Sequence, residues 1–345
     1  MFLKELSLTD FRNYKEEKSF SFSDGINLIL GPNASGKTNL LEAVVLLSVG
    51  KSFRASKIVQ MINHQSPVAH VKALVSRDQE EKNLVSVLSR GEINGKKTPL
   101  RQFSVDGNKR SQSKFVGNLL TVLFSPQDLD IVTDSPSFRR RFLDDVLDQA
   151  DKDYYRSRRS YLKGLRSRNK VLEQIRNGQA EAKALFFWNR LLIENGQKIN
   201  QERRNLIEFV NQQESAAGYK LVYQPSLISP KKLSEKQSAE IAAGQTLFGP
   251  HRDDFLVFAG DRGLAVFGSR GEQRLSVLWL KLAQLRFLEE MTKKRPVLLL
   301  DDIFSELDKE HKKLVVASFV NHQTLVTSAE DVDLDYQAKR ISLEK

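Results

Sequence analysis

The pattern of hydrophobic and polar positions changes twice along this chain. Before the Ser135-Pro136 pair, short runs of alternating apolar and polar residues are typical of β-strands with one buried face. That pair is a common helix start, and after it apolar residues recur at helical spacing to about Asn211, before strand patterns return. The sequence therefore predicts an α/β protein with mixed sheets and an inserted helical domain, divided into a head (1–134), the insertion (135–242) and the rest of the head (243–345).

Individual runs predict particular strands and helices. The apolar run Ile26 to Leu30 predicts a strand, and Asn39 to Val49 predicts a helix just after a glycine-rich loop. The run Pro296 to Asp301 is apolar almost throughout, which is typical of a parallel strand buried on both faces. The other predicted elements are a helix at about Gly271–Met291 and strands at Phe2–Thr9, Lys18–Phe22, Ala69–Val75, Leu84–Ser89, Gln102–Val105, Phe255–Phe258, Ala265–Phe267 and, last, Thr324–Thr327.

Within the predicted insertion, apolar residues recur at heptad spacing, at Leu185, Leu192, Ile199 and Leu206. This spacing predicts that two helices pair over a short length and return the chain to its starting point. A protruding coiled coil and the ordinary core packing of a helical subdomain both produce this pattern, so the sequence leaves both open.

Composition narrows the class of protein. The chain has 345 residues, of which 40% are hydrophobic, and this is enough for one large or two medium folded domains. It contains no cysteine, which excludes disulfides and thiolate metal sites and fits a reducing compartment. Lys4, Glu5 and Asp10 stand too early for a secretory leader, and no run approaches the roughly 18 apolar residues of a membrane span. We therefore expect a soluble, cytoplasmic protein with no membrane partner.

The charge distribution favours nucleic acid as a partner. The net charge is +11, and each basic residue that meets a phosphate releases counterions. Seven basic residues and no acidic residue lie between Arg156 and Lys170. Four of them form one stripe on a helix: Arg159, Lys163, Arg166 and Lys170. A solvated helix face also explains the stripe, but like charges at this spacing repel without a counter-anion. Because aromatic residues are sparse nearby, we expect contact with duplex backbone.

A phosphate-loop motif, G-x-x-x-x-G-K-[ST], lies between the first predicted buried strand and the helix that follows. Glycines let the loop point its N–H groups at phosphate oxygens, the lysine reaches the outer phosphates, and the threonine hydroxyl suits Mg²⁺. The motif predicts that a nucleotide and Mg²⁺ bind at Gly31, Pro32, Asn33, Ala34, Ser35, Gly36, Lys37 and Thr38.

Two adjacent carboxylates end the apolar strand at Pro296 to Asp301. In α/β proteins the carboxyl ends of parallel strands form the mouth where ligands bind. We assign Asp301 to the shell of the metal ion, and Asp302 is the candidate general base for the attacking water. The alternative is that these are two solvated aspartates that only end a strand. The presence of the phosphate loop disfavours this alternative.

The segment Ser269-Arg270-Gly271-Glu272-Gln273 begins the predicted helix that precedes those acids. Ser269 can cap the helix, with Glu272 completing a capping box. The same helix start offers a hydroxyl, glycine N–H groups and the positive end of the helix dipole to an anion. Both interpretations can hold together.

The order of these motifs, with Ser305-Glu306-Leu307-Asp308 after the paired acids, resembles the ABC-type ATPase superfamily. The resemblance narrows to the RecF family of DNA replication and repair proteins and spans nearly the whole chain, thinning between Glu173 and Ala243. The segments that carry it are Phe11-Arg12-Asn13-Tyr14, Ser125-Pro126-Gln127-Asp128-Leu129, Ser135-Pro136-Ser137 with Arg139-Arg140-Arg141-Phe142-Leu143-Asp144, and Phe248-Gly249-Pro250-His251-Arg252-Asp253-Asp254.

The resemblance implies an ATPase head like those of SMC proteins, carrying a compact helical domain in place of a very long coiled coil. Two heads would sandwich two ATP molecules with Mg²⁺ and so form an ATP-dependent homodimer. It further implies that Arg12 and Asn13 help hold the nucleotide and that Gln127 lies in the Q-loop, near Mg²⁺ and water. By the same resemblance, the signature that reaches the γ-phosphate across the interface includes Ser269, Gly271 and Gln273. Asp308 would lie in the D-loop.

The function that the resemblance implies is ATP-dependent DNA binding in recombinational repair, replication-fork maintenance and the SOS response. The dimer would clamp DNA at gaps or at junctions of single and double strands. It would help load the strand-exchange recombinase together with the RecO and RecR proteins. A weak, DNA-dependent ATPase activity would release it.

Three departures from transport ATPases affect this expectation. The signature begins Gly268-Ser269 where those enzymes usually have Leu-Ser, and Asp302 stands where they usually have glutamate, so we expect slow hydrolysis. Thr327-Ser328 stands where many ABC ATPases carry a switch histidine, which removes that means of sensing the γ-phosphate.

Other function classes share parts of this motif set. The nucleotide-binding subunit of a membrane transporter uses the same motifs, but the long gap between Lys37 and Ser269 and the basic charge disfavour it. A nucleotide or small-molecule kinase gives the S-x-G-x-Q segment no role. A scaffold that binds ATP without turnover is compatible with Asp302.

Overall fold

The structure is a computed structural model that describes residues 1–77, 80–93, 95–215, 217–303, 321–331 and 337–344. Its strands are β1 (Phe2–Thr9), β2 (Lys18–Ser21), β3 (Ile26–Leu30), β4 (Val68–Arg77), β5 (Glu80–Ser89), β6 (Glu92–Ile93), β7 (Lys96–Lys97), β8 (Arg101–Val105), β9 (Asn108–Arg110), β10 (Thr121–Phe124), β11 (Tyr219–Gln224), β12 (Asp254–Ala259), β13 (Arg262–Gly263), β14 (Val297–Asp301), β15 (Thr324–Ser328) and β16 (Ala338–Ser342). Its helices are α1 (Lys37–Val49), α2 (Gln112–Phe115), α3 (Asp130–Thr133), α4 (Pro136–Ala150), α5 (Lys152–Arg176), α6 (Phe186–Asn211), α7 (Pro230–Glu235), α8 (Gln237–Ala243), α9 (Leu264–Phe267) and α10 (Arg270–Thr292). Short 3₁₀ turns lie at Ile58–Met61, Pro126–Leu129, Ala182–Leu185 and Pro250–Arg252.

The chain divides into two compact units. Unit 1 consists of Met1–Asp128 and Gln284–Lys345, and unit 2 is Leu129–Ala283. Unit 2 contains the whole predicted insertion, but it also takes in 243–283, which the sequence pattern assigns to the head. The physical reason is a sheet, because β12 in this added stretch pairs with β11 of the insertion along its full length.

Unit 1 contains two large sheets of different construction. One is antiparallel, in the order β2-β1-β4-β5-β8-β9. The other is parallel throughout, in the order β10-β14-β15-β3-β16. Strands β14 and β15 are buried at every position, as strands covered on both faces require. The carboxyl ends of the parallel strands lie along one edge, which brings the phosphate loop, Asp301 and Thr327 to that edge.

Helix α1 joins the two sheets. It is apolar on nearly every side, and a helix of this kind is stable only when it is covered all round. It packs against β10, β14 and β15 of the parallel sheet and against β4 and β5 of the antiparallel sheet. Its residues Leu40, Val44 and Leu47 are fully buried in the core of unit 1. The positions of Lys37 and Thr38, which begin this helix, are therefore fixed by a close-packed core.

Unit 2 is built on the long helices α5 and α6. Gly164 on α5 lies against Leu191 and Leu192 on α6, and one turn further on Arg168 bonds to Asn189, so the two helices run antiparallel. Helix α6 also packs on α4, α7 and β11. The four heptad residues are almost completely buried: Leu185, Leu192, Ile199 and Leu206. Of the two interpretations left open, ordinary core packing is the one observed.

Two predicted features of the chain differ from the structure. The sequence predicts a strand at Ala265–Phe267, but these residues belong to helix α9, because a short apolar run does not distinguish the two. The sequence also predicts no strand after Thr327, whereas β16 pairs with β3. β16 lies at the edge of the sheet and is largely solvent-exposed, so its hydrophobic pattern is weak. Among the helices described, none is long and apolar enough to cross a membrane.

Candidate nucleotide-binding site

The phosphate loop leads from β3 into α1 and needs left-handed backbone at two residues. These are Ala34, with φ 70°, and Gly36, with φ 107°. A Cβ atom at Gly36 would stand 2.8 Å from the Asn13 side-chain amide and 2.9 Å from the Tyr14 hydroxyl oxygen. Glycine is required here both by the conformation and by the close approach. The Tyr14 hydroxyl also donates to the Gly36 carbonyl at 3.1 Å, which holds the loop from outside.

The inside of the loop presents donors suited to an anion. The Lys37 ammonium group folds over the loop and donates to the carbonyls of Gly31 at 2.5 Å and Pro32 at 3.1 Å. The Ser35 hydroxyl is buried and, within the described residues, has no hydrogen-bond partner. A Cβ at Gly31 would lie 2.6 Å from Ser35 Oγ and 2.7 Å from the Leu343 carbonyl oxygen. An orphaned buried hydroxyl costs about 1–3 kcal/mol, so the loop gains from phosphate oxygens as acceptors.

A chain of hydrogen bonds joins the loop to the ends of β14 and β15. Thr38 Oγ1 donates to Asp301 Oδ1 at 2.8 Å, and Thr327 Oγ1 donates to the same oxygen at 3.0 Å. Thr327 Oγ1 also accepts the Asp302 N–H at 3.0 Å. Burial raises the pKa of Asp301, although the two hydroxyl bonds and the charge of Arg54 act in the opposite direction. A buried carboxylate of this kind gains from a nearby cation.

These residues fit Mg²⁺ bound together with a nucleotide. Among the described residues, no group of three or more His, Asp or Glu side chains could hold a metal ion by itself. Mg²⁺ usually takes one or two protein ligands and completes its shell with phosphate oxygens and water. Thr38 and Asp301 would supply the protein ligands, and the ion would neutralise phosphate charge.

Asp302 and Gln127 lie at the same edge of the sheet. Both side chains are exposed. Gln127 is in the 3₁₀ turn directly after β10, and β10 pairs with β14 so that Phe124 is opposite Leu300. Asp302 follows β14 with φ 53°, an uncommon conformation for a residue other than glycine. This backbone conformation places a carboxylate at the solvent-facing mouth of the site, where an attacking water would enter.

Arg12 and Asn13 stand beside the loop but differ in what they contact. The Arg12 guanidinium forms a two-point ion pair with the buried Glu42 on α1, at 2.6 and 2.7 Å, and donates to the Gln60 carbonyl at 2.6 Å. Asn13 donates to the Ser35 carbonyl at 3.2 Å and so lies directly on the loop. The described contacts give Arg12 a part in fixing α1, and they place Asn13 closer to the nucleotide position.

The signature segment lies in unit 2, at the start of α10. Ser269 Oγ accepts the Glu272 N–H at 3.2 Å, and the Glu272 carboxylate accepts the Ser269 N–H at 2.8 Å, which forms a capping box. This Ser269 N–H bond, with help from Arg262, lowers the pKa of Glu272 to about 2. Gly271 is exposed, and a Cβ atom there would meet only the Ser269 hydroxyl oxygen, at 4.0 Å. The helix start is therefore well formed and accessible.

The remaining signature residues are placed differently. Gln273 is buried and donates to the Leu264 carbonyl at 2.9 Å, so its side chain faces the interior of unit 2. Asp308, expected in the D-loop, lies outside the described residues.

Helix α5 sorts its basic residues onto two faces. Arg168 is fully buried and pairs with Glu240 at 2.6 Å. The residues of the predicted stripe are instead all exposed: Arg159, Lys163, Arg166 and Lys170. Across the described part of the chain, no carboxylate forms an ion pair with the last three of these. The stripe is therefore a solvent-exposed basic face of α5.

Sequence reasoning missed the structural roles of three residues that organise the site: Tyr14, Glu42 and Thr327. Glu42 offered a signal, because a single carboxylate within an apolar helix needs a buried partner. Thr327 offered none, since its hydroxyl matters only through the neighbouring strand that carries Asp301.

Comparison with known proteins agrees with this architecture. The family model for the RecF/RecN/SMC N terminal domain matches residues 2–342. The DNA replication and repair protein RecF of Thermoanaerobacter sp. (strain X514) is 36% identical, with 97% of this chain and 96% of that protein covered. The solved recombination mediator protein RecF-ATP of the RecFOR pathway is 33% identical with a TM-score of 0.88, covering 96% of this chain and 93% of that one. An Smc head domain from Pyrococcus furiosus, 17% identical with a TM-score of 0.52 and covering 96% and 90%, shares the fold.

Proposed function

The chain belongs to the RecF family, within the wider group of RecF, RecN and SMC N-terminal domains, and from this premise we propose that it is an ATP-dependent DNA-binding protein of recombinational repair and replication-fork maintenance. Its relatives are named for DNA replication and repair, which disfavours the transporter alternative.

The observation that carries the proposal is the hydrogen-bonded series Thr38, Asp301 and Thr327 beside the phosphate loop. These residues belong to α1, β14 and β15, so phosphate oxygens placed there would meet three elements at once. Bound ATP with Mg²⁺ supplies the phosphate charge that such a series can respond to. Lys37 and the loop N–H groups would hold that charge, and its loss on hydrolysis would release the elements, which is how nucleotide switches work.

We propose that a second copy of the chain completes the site. Ser269 and Gly271 are accessible at the start of α10, and nearby Val266 and Phe267 are 79% and 68% exposed. Neighbouring apolar residues this exposed gain free energy when a partner covers them. The expected assembly is a homodimer that forms with ATP and separates after hydrolysis.

The basic stripe on α5 gives the proposed dimer a surface for DNA. The stripe carries no pattern that would read bases, so the expected contacts are with the backbone of double-stranded or gapped DNA and of junctions. The related RecF-ATP structure is described as a recombination mediator of the RecFOR pathway. On this basis we propose RecO and RecR as protein partners, in support of loading a recombinase.

The proposed ATPase activity is weak and depends on DNA. Asp302 would act as the base for water, with Gln127 positioned nearby and Lys37 stabilising charge on the phosphates. An aspartate reaches less far than a glutamate, which supports slow turnover. A long-lived ATP state suits a protein that must stay on DNA while others assemble.

The experiment that tests this function is fluorescence anisotropy of a labelled gapped duplex with Asp302→Asn protein, in ATP and separately in ADP, at one salt concentration. We expect binding in ATP that rises steeply with protein concentration, and little binding in ADP. Equal binding in the two nucleotides would show that ATP does not control the interaction.

A second variant separates dimerisation from nucleotide binding. Ser269→Arg should leave ATP binding by the monomer intact and abolish the ATP-induced dimer in sedimentation velocity. Ser234→Arg, at an exposed position on α7, is the matched control and should dimerise normally. A Ser269→Arg protein that still dimerises would contradict the role given to the signature.

A further inference from the structure

Unit 2 contains a cavity of about 480 Å³ that the proposed function does not use. It brings together two segments that are far apart in sequence, the start of α4 and the 3₁₀ turn at Pro250–Arg252. Its lining includes Ser135, Ser137, Arg140, Asn169, His251 and Arg252. None of the residues that line the cavity is acidic, so its wall is neutral or cationic throughout.

The two acids that follow Arg252 in sequence are paired with other arginines. The Asp254 carboxylate accepts from Nε and Nη2 of the Arg139 guanidinium, at 2.6 and 3.0 Å. Asp253 is fully buried and accepts from Arg203 at 2.8 Å and from the Tyr223 hydroxyl at 2.6 Å. Among the described residues, neither carboxylate forms an ion pair with an arginine of the cavity wall.

Two arginines on the wall lack a carboxylate partner. Arg140 is half-buried and donates to the backbone carbonyl of Asp253 at 2.8 Å. Arg252 is exposed, and within the described residues its side chain makes no hydrogen bond or ion pair. Burial lowers the pKa of Arg140 and the charge of Arg203 lowers it further, although acids in the vicinity oppose this. Arg140 is thus a cation that contacts a backbone carbonyl and, within the described residues, no carboxylate.

The His251 ring forms part of the cavity wall but adds no charge to it. Its Nδ1 lies 2.7 Å from the Tyr161 hydroxyl and its Nε2 lies 3.2 Å from the Thr246 carbonyl. Burial, together with the positive charge of Arg252 and Arg140, lowers its pKa to about 4. The neutral ring therefore donates from Nε2 to the carbonyl and accepts from the tyrosine. The positive charge of the wall comes from the two arginines alone.

The other polar groups on the wall are donors. The Ser135 and Ser137 hydroxyls share a 2.7 Å bond, which leaves one hydroxyl proton for another acceptor. They stand at the start of α4, a helix of 15 residues with no side-chain cap, whose dipole favours an anion. The Asp134 carboxylate already accepts the Ser135 N–H at 2.5 Å, so the hydroxyls are the donors that this helix start offers. The Asn169 carbonyl oxygen accepts from Thr246, so its amide N–H₂ is left to donate.

We propose that this cavity binds a phosphate group through Arg140, Arg252, Asn169 and the two serine hydroxyls. Two arginines with a helix start and hydroxyl donors form a set that matches phosphate oxygens in both charge and geometry. The recognition chemistry is the same for a phosphate of the DNA backbone and for a free phosphate compound. The site does not depend on the phosphate loop or on dimerisation, so its failure and that of the proposed function are distinguishable.

The first arm of the test is calorimetric titration of inorganic pyrophosphate into Lys37→Met protein, in which the phosphate loop is disabled. We expect saturable binding at low salt, weakened about tenfold or more by Arg252→Gln, since charge-assisted bonds to phosphate are lost. The matched control is Arg190→Gln, which removes the same charge from an exposed position on α6. Ser137→Ala is a second variant that keeps every charge and should weaken binding by a smaller factor.

The second arm uses the gapped duplex, with DNA affinity measured against salt concentration for Arg252→Gln and Arg190→Gln. A salt slope reduced by about one in Arg252→Gln alone would assign the cavity to a backbone phosphate. Weakened pyrophosphate binding with an unchanged salt slope would assign it to a free phosphate compound. The proposal is wrong if Arg252→Gln and Arg190→Gln behave alike in both arms.

Discussion

The two units of this protein use charged side chains in opposite ways. In unit 1 the nucleotide-site charges stand at the edge of the sheet, where Lys37 contacts only backbone carbonyls and Asp301 only hydroxyl groups among the described side-chain bonds. In unit 2 several charges lie inside the core, where Arg203 binds Asp144 and Asp253 at 2.7 and 2.8 Å. The first arrangement leaves charge available to a ligand, and the second makes the fold itself depend on charge.

This difference shows how one chain can combine a ligand-responsive site, in unit 1, with a rigid support, in unit 2. A buried ion pair adds little net stability over an apolar replacement, but loss of one member leaves an uncompensated charge in the core. The opposite holds for charges at a ligand site, since their removal leaves the fold stable and removes ligand binding. The predictions below test this contrast, beginning with the largest effect.

Arg203→Met should lower the free energy of unfolding by about 3–5 kcal/mol, because it removes the cation paired with the buried Asp253 and one of the two cations paired with Asp144. Urea unfolding followed by circular dichroism measures this. Arg190→Met, which breaks only the exposed pair with Glu194, should change stability by about 0–1 kcal/mol. If both variants unfold at the same urea concentration, the contrast between the units is wrong.

The same network predicts a dependence of stability on pH. Burial pushes the pKa of Asp144 upward, but Arg203 and Arg158 outweigh it and hold the pKa below its ordinary value. Its contribution to stability is therefore present above about pH 4 and is lost as pH falls through the lower folded pKa. Acid titration of stability should show this loss in the parent protein and a smaller loss in Arg203→Met. An identical pH profile in both would rule out this coupling.

Lys37→Met should leave the stability of the fold within about 1 kcal/mol and weaken ATP binding about 30- to 100-fold, since it removes charge-assisted bonds to phosphate. Calorimetric titration with ATP and urea unfolding measure the two quantities separately. Lys18→Met, at an exposed position on β2, is the control for loss of a lysine in unit 1. Loss of stability comparable to that in Arg203→Met would contradict the division described above.

Thr327→Val should cost about 1–2 kcal/mol of stability, because the Asp302 N–H and one Asp301 oxygen lose their hydroxyl partner. We expect ATP hydrolysis about tenfold slower, with ATP affinity little changed, since the hydroxyl orients the two carboxylates without holding the nucleotide. Steady-state ATPase and nucleotide titration give both values. Thr327→Ser restores the hydroxyl and should restore the rate, and a Val variant as fast as the parent would remove Thr327 from the mechanism.

The smallest effect is expected from the basic stripe. Changing Lys163 and Lys170 together to Gln should leave stability within about 0.5 kcal/mol, since both side chains are exposed. The plot of log affinity against log salt for gapped DNA in ATP should become shallower by about 0.9 for each lost phosphate contact. Lys231→Gln, an exposed lysine on α7, is the control. An unchanged slope would identify the stripe as a solvated helix face.

The nucleotide site could be predicted in greater detail from the sequence than the interior of unit 2. The phosphate loop is contiguous, and the run that ends at Asp301 is apolar enough to identify a buried strand, so local pattern and motif spacing were sufficient. Arg168 shows the limit of this reasoning. It stands within the basic run on α5, but its side chain is completely buried and forms an ion pair with Glu240, which is far away in the sequence. Pairings of this kind leave no periodic signal.

Strand pairing sets a similar limit on how well the domain boundaries could be predicted from the sequence. The sequence pattern ends the helical insertion at 242, because strand-like runs resume soon after. Which sheet those strands join depends on pairing partners, and β12 pairs with β11 rather than with a strand of unit 1. Edge strands are harder still, since β16 has little apolar alternation to mark it.

The position of β3 in its sheet has a consequence for how the protein is made. β3 leads into the phosphate loop near the start of the chain, but both of its neighbours, β15 and β16, come from beyond residue 320. The Leu343 N–H then donates to the Leu30 carbonyl at 2.7 Å, directly at the entrance to the loop. During translation, the sheet around β3 therefore remains incomplete until β15 and β16 have left the ribosome. A nascent chain exposes its nucleotide motif early but completes the sheet that carries the motif only late, so the nucleotide site cannot be complete in unfinished copies.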